Sequence, residues 1–94
     1  ILDYITRLTM ASREHPMLEV GVSPRGALCL CRMAKARAYL LGRDYVVGED
    51  VQDVWQDVCA HRVAATPKAR LSGVTGADIL RGVLSSVESP DQRL

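Results

Sequence analysis

Between Gly48 and Ala60 the apolar residues Val51, Val54, Trp55, Val58 and Cys59 recur at i, i+3, i+4, i+7 and i+8. Only a helix turns that spacing onto one side; a strand would scatter the same residues over both faces of a sheet. The segment is therefore a helix with one buried stripe, and such a helix needs other apolar surfaces to lie on. Gly48-Glu49-Asp50 opens it with acids in the first turn, where the macrodipole favours negative charge.

The rest of the chain supplies those surfaces. From Ile1 to about Glu14, Ile1, Ile5 and Leu8 repeat at helical spacing with Leu2 alongside, and Pro16 ends the pattern. His15 to Val22 holds Pro16 and Gly21 and reads as a connection, ordered by Met17, Leu18 and Val20 against the core. Ser23-Pro24 starts a second helix, because the hydroxyl accepts from an unpaired amide and proline is preset for the first turn. It runs to Leu41, gathers Ala27, Leu30, Cys31, Ala34, Ala38 and Leu41 on one side, and is ended by Gly42. Leu28, Met33, Tyr39 and Leu40 spread apolar surface round its other sides, as for a central helix touched from several directions. Tyr45-Val46-Val47 is short and extended, and Asp44-Tyr45 is given a structural role with the tyrosine ring capping the bundle. Arg62 to Ala65 returns to an extended form, Thr66-Pro67 starts a helical turn that fails at Gly73, and Thr75 with Asp78 resembles a capping box. The fourth helix that follows buries Ile79, Leu80, Val83, Leu84 and Val87; residues 88–94 are polar and expected to fray.

These four helices, with short extended connections and no convincing sheet, define an all-α bundle in a single domain. With one Trp, three Tyr and no Phe, its core is aliphatic. No apolar run approaches the roughly 18 residues of a membrane span. Ile1 opens the chain without an initiator Met, so a piece of a longer protein is expected.

Net charge is +1, too balanced to point to nucleic acid or membrane. Arg25, Arg32, Lys35, Arg37 and Arg43 precede Glu49, Asp50, Asp53 and Asp57, which reads as complementary solvated faces on neighbouring helices. Three cysteines without a Cys-x-x-Cys pair, Cys29 and Cys31 lying on different sides of a helix, indicate a reduced, cytoplasmic protein without a metal site. His15 and His61 lack partners at any catalytic spacing. There is no glycine-rich phosphate loop, no acid pair and no nucleophile arrangement, so the chain alone is not expected to be an enzyme.

Arg25 breaks a rule. It is a cation in the first turn of a helix, where aligned dipoles already concentrate positive potential. Either it reaches to water or pairs with Glu14 or Glu19, or guanidinium and helix terminus together address an anion, most naturally a phosphate.

Leu2-Asp3-Tyr4-Ile5, Ser12-Arg13-Glu14-His15-Pro16, Ser23-Pro24-Arg25, Gly42-Arg43-Asp44-Tyr45-Val46, Glu49-Asp50-Val51 and His61-Arg62, in this order and spacing, resemble the C-terminal lid domain of MoxR-type AAA+ ATPases. The resemblance implies a four-helix AAA+ lid bundle that closes over ATP and magnesium held mainly by a preceding ATPase domain. Arg25 would be the second sensor and act in catalysis, and Ser23, Pro24, Arg25 and Arg32 would face the nucleotide. It also implies a ring, of about six subunits, and chaperone-like activation of client proteins such as metalloenzymes and von Willebrand A domain proteins. Two places depart from the family: Val47-Gly48 stands where Thr-Pro is usual, weakening the cap of the third helix, and Val63-Ala64-Ala65 are smaller than usual.

A helix-turn-helix-like nucleic-acid binder would need Arg25, Arg32, Lys35 and Arg37 on one face. Arg37 lies about 120° from Arg25 on a helical wheel, and Leu28 and Tyr39 interrupt the basic side, so no nucleic-acid partner is expected. A stand-alone protein-interaction bundle is the other alternative. The aliphatic stripes predict that the chain folds as a helical monomer in reducing, chelator-containing buffer; loss of far-ultraviolet helical dichroism on chelation would refute this.

Overall fold

The computed structural model describes residues 1–88; the expected frayed tail lies, beyond Glu88, outside the described residues. Five α-helices and one small antiparallel sheet are present among them: α1 (Leu2–Arg13), β1 (Leu18–Val20), α2 (Pro24–Leu40), α3 (Gly48–Cys59), β2 (Ala64–Ala65), α4 (Pro67–Leu71) and α5 (Gly76–Ser86), with a 3₁₀ turn at Ala60–Arg62 after α3. The four helices expected from periodicity are α1, α2, α3 and α5. The helical turn expected at Thr66-Pro67 is α4, capped by Thr66 Oγ1 accepting from Ala69 N–H at 3.2 Å.

The stripe on α3 buries as its spacing requires. Val51, Trp55 and Cys59 are fully enclosed, Val58 nearly so, and Val54 packs half-buried beside them. Trp55 is the largest side chain in the core, and its indole Nε1–H donates to the Leu80 carbonyl at 3.0 Å. That bond satisfies a polar group that would otherwise be stranded. From α5 come Ile79, Leu80 and Val83, with Leu84 and Val87 only partly covered; from α1 come Tyr4, Ile5 and Leu8.

On α2, Leu30, Ala34 and Ala38 turn inward, and the small residues let α3 approach closely. Leu41, expected in that seam, is 58% exposed. The helix stops at Leu40, and the chain turns away through Gly42 at φ +82°, a conformation glycine adopts without a Cβ penalty. Gly42 N–H donates to Tyr39 O and Arg43 N–H to Ala38 O, both at 3.0 Å, the paired bonds of a Schellman ending. Gly21 is required for a different reason: a Cβ there would lie 2.6 Å from the Arg13 Cα, because the chain crosses the end of α1 backbone to backbone. Ser12, fully buried, holds the same crossing by accepting from Val22 N–H at 3.0 Å.

Three expectations are corrected. Leu18–Val20 and Ala64–Ala65 pair as strands, with Leu18 opposite Ala65 and Val20 opposite Ala64; segments this short carry no readable alternation, so pairing arises only once the helices bring them together. Arg62, placed in an extended segment, closes the 3₁₀ turn instead. The Tyr45 ring does not cap the bundle: it is 61% exposed, with the Arg43 guanidinium over it, 5.7 Å from its centroid. The buried tyrosine is Tyr4 on α1, whose hydroxyl accepts from Gln52 Nε2 at 3.4 Å.

Trp55→Ala removes the centre of this core and is expected to cost about 3–5 kcal/mol, enough to unfold most small domains. An unchanged thermal midpoint would contradict the packing described.

Candidate functional site

The start of α2 is built by three consecutive residues. Ser23 is extended (φ −77°, ψ 166°), and its Oγ accepts from Gly26 N–H at 3.1 Å. Pro24 takes the first helical position with φ preset and no N–H to satisfy. Arg25 follows, exposed, and among the described residues its side chain has no hydrogen bond or ion pair; neither Glu14 nor Glu19 pairs with it. The first turn contains no acid. The cation therefore points to solvent at the positive end of a helix with nothing offsetting it.

Arg32 stands two turns further along, about 10 Å up the axis and about 20° round it, also exposed and without a side-chain partner among the described residues. Ser23, Pro24 and Arg25 thus form one continuous terminus, and Arg32 shares its side of α2 without touching it. Around these cations the helix exposes Leu28 (51%), Tyr39 (79%) and Leu40 (82%). These apolar residues were expected to be packed on several sides. The structure buries only the opposite face, leaving Leu28, Tyr39 and Leu40 exposed among Arg25, Arg32 and Lys35 on a mixed apolar and basic side.

The other cations of this stretch are committed elsewhere. Asp50 is completely buried, and its two oxygens accept four bonds: from Arg37 Nη1 at 2.5 Å and Arg43 Nη2 at 2.7 Å on Oδ1, and from Arg43 Nη1 at 2.7 Å and Val47 N–H at 2.8 Å on Oδ2. Arg37 also pairs with Asp53 and, at 3.4 Å, with Glu49. The Arg43 fork, then the Val47 amide and Arg37, hold the Asp50 carboxyl far below the usual carboxylate range, although burial pushes the other way. The expected pairing of charged faces is present, but its centre lies inside the protein rather than in solvent. The Asp50–Val47 bond also supplies half of a capping box for α3; Val47 has no side-chain oxygen to complete it. Arg37, one of the four cations a nucleic-acid face would need, is taken up by this network.

One residue near the α2 start carried no sequence signal beyond its place beside His61. Arg62 reaches back from the 3₁₀ turn, donates through Nε to Val58 O at 3.1 Å, and sets Nη2 3.7 Å from the Cys29 thiol. Its Cδ lies 3.4 Å from where a Cβ on Gly26 would be. Cys29 is half-buried, and Cys59, enclosed at the end of α3, has its thiol pushed up to about 12 by burial. Cys59 therefore lacks the exposed, low-pKa pattern of a reactive thiol.

Comparison with known proteins places these features in a family. The family model described as the AAA lid domain matches residues 10–83. The chain belongs to the AAA lid-domain family, in its MoxR-type branch. It is 38% identical over 93 residues to the Bacillus subtilis protein YeaC, covering 99% of this chain and 29% of that one. The MoxR protein of Methylorubrum extorquens is 40% identical over 76 residues (79% and 22%), and the chaperone MoxR1 of Mycobacterium tuberculosis 31% identical over 99 residues (96% and 26%). A solved Cytophaga hutchinsonii protein assigned as an ATPase superposes with a TM-score of 0.86 at 32% identity, covering 94% of this chain and 29% of that one. The chain thus spans less than a third of the length of these relatives.

Ser23, Pro24, Arg25, Arg32, Asp50 and Arg62 all fall within the matched span of the lid domain. Among the described residues no helix is long and apolar enough to cross a membrane, and no group of three His, Cys, Asp or Glu side chains is placed to hold a metal ion.

The buried carboxylate gives the lid domain a signed pH dependence. Its folded pKa is depressed, so its stabilisation is fully present above the unfolded value near 4 and is lost as pH falls below it. Thermal midpoints should be level near neutrality and fall below about pH 4. Asp50→Asn should lower the midpoint at pH 7 and flatten the acid limb, leaving the part due to Asp78, held low by Thr75. An acid limb as steep as that of the parent would show that Asp50 is not the group responsible.

Proposed function

We propose that this lid domain is the C-terminal part of a larger MoxR-type ATPase and closes over ATP bound to the ATPase domain of the same subunit. The observation that carries the reading is the start of α2: an outward arginine with no carboxylate partner among the described residues, at the positive end of a helix that also exposes Leu28, Tyr39 and Leu40. Placing a cation there opposes the dipole and gains nothing in the isolated domain. Both features make sense against a partner that brings phosphate to the terminus and apolar surface to Leu28, Tyr39 and Leu40.

The residues fit an anion. Arg25 offers an unpaired guanidinium, the helix start adds its dipole, and Ser23 and Pro24 fix the turn that aims them. When bound, ATP with magnesium supplies the bond whose hydrolysis drives the cycle, and the phosphate loop and metal site belong to the ATPase domain. Arg25, as the second sensor, stabilises charge at the terminal phosphate. In this reading Arg32, exposed on the same side of α2, also faces the ATPase domain. Lid angle then follows nucleotide state, and a ring of about six subunits transmits it to client proteins in the cytoplasm. The chaperone name of the Mycobacterium tuberculosis relative supports remodelling as the output. The clients implied by the family resemblance are metalloenzymes and von Willebrand A domain proteins.

Alone, the domain offers ATP one guanidinium and one helix terminus, too little to offset the cost of association; titration should give a Kd weaker than about 1 mM and no turnover. In the full-length protein, Arg25→Ala should lower ATP turnover by about 10- to 1000-fold, the range for one preorganised charge-stabilising donor, with the thermal midpoint unchanged or slightly raised. Unchanged turnover with a lowered midpoint would make Arg25 a structural residue and refute the reading.

A further inference from the structure

The turn that carries Arg25 is gripped from α3. Arg62 lies along the side of the first two turns of α2, with its methylene stem against Gly26, the residue after Arg25, and its Nη2 at the Cys29 thiol one turn on. The same guanidinium donates through Nε to Val58 O, in the last turn of α3. Gly26 is buried, and the space where a Cβ would go is bounded by Val22 Cγ1 at 3.0 Å and by Arg62 Cδ at 3.4 Å. The tight neighbour at this glycine is Val22, and the Arg62 stem lies at van der Waals distance beside it.

On the α3 side Arg62 has a local reason, since a cation just past a helix C-terminus meets the negative end of the dipole and a last-turn carbonyl. On the α2 side it has none: it is a second cation beside the positive end, and among the described residues it has no carboxylate partner. What its contacts do is join the end of α3 to the start of α2. Along its middle α2 meets the core through Leu30, Ala34 and Ala38, and at its far end Arg37 and Arg43 meet Asp50. At the near end, the polar contacts to its first two turns are the Ser23 cap and the Arg62 guanidinium. A helix start free to shift by an ångström is enough to spoil alignment of a charge with a reacting phosphate.

We infer that Arg62 is the positioning residue for Arg25, bracing the first turns of α2 against the end of α3 so that the guanidinium of Arg25 is delivered to the nucleotide in a fixed place. The inference rests on the reading of Arg25 given above, and it acts through that residue without contact to the nucleotide.

The experiment is a double-mutant cycle in the full-length ATPase, with turnover, the KM for ATP and the thermal midpoint measured on each protein. Arg62→Met should lower kcat by about 10- to 100-fold with little change in KM, and should add nothing in the Arg25→Ala background, since a residue acting through another has no effect once that one is gone. Arg62→Lys keeps the stem over Gly26 and the charge, so it should fold as the parent does; a single ammonium cannot serve Val58 and Cys29 together, so kcat should still fall. If Arg62→Met slows the Arg25→Ala enzyme by the same factor as the parent, or if Arg62→Lys turns over fully, the positioning role is wrong while the reading of Arg25 stands. If Arg25→Ala itself turns over fully, both fall.

Discussion

The buried carboxylate of Asp50 is the constraint on which the arrangement of α2 and α3 depends. A charge removed from water must have its lone pairs answered, and here each oxygen accepts two bonds, from two arginines and one amide. The donors come from different places: Arg37 from the body of α2, Arg43 from just past its glycine ending, and Val47 from the residue that caps α3. A change in the angle between the helices, or in the path from Gly42 to Gly48, would strand a charge in the core. The pairing therefore selects one geometry for the connection, and the apolar seam of Leu30, Ala34 and Ala38 against α3 sets how closely the helices lie.

That geometry leaves α2 two-sided. One face is core; the other carries Arg25, Leu28, Arg32, Tyr39 and Leu40 to the surface. In a domain that stood alone this would be an unfavourable use of a central helix. In the proposed reading it is the side that the ATPase domain closes on. The two ends of α2 also differ in kind. Its C-terminal end is pinned by a dense ionic network, whereas its N-terminal end is held by a hydroxyl cap, a close glycine contact and a single arginine reaching across.

Much of the fold could be read from the chain because proline and glycine mark its joints. Pro24 and Pro67 sit at helix starts, and Gly42 and Gly73 take the positive φ that ends α2 and α4. The sheet was not readable, since strands of three and two residues have no period of their own. The exposure of Leu28, Tyr39 and Leu40 was not readable, because apolar residues all round a helix imply burial on every side and the structure covers only one. The Ser23-Pro24-Arg25 terminus was legible because a cation at a helix start violates a local rule that needs no tertiary information.

Local rules determined the helices, their caps and the anomaly at Arg25, because hydrogen bonding within one turn and the helical period are fixed by a few neighbouring residues. Tertiary structure alone decided that Asp50 is a buried hub and not a solvated first-turn acid. It also decided that Tyr4 and not Tyr45 enters the core, and that Arg62 lies against Gly26 and Cys29. Each of these depends on which residues from distant parts of the chain exclude water from one another, a property that no spacing along the sequence encodes.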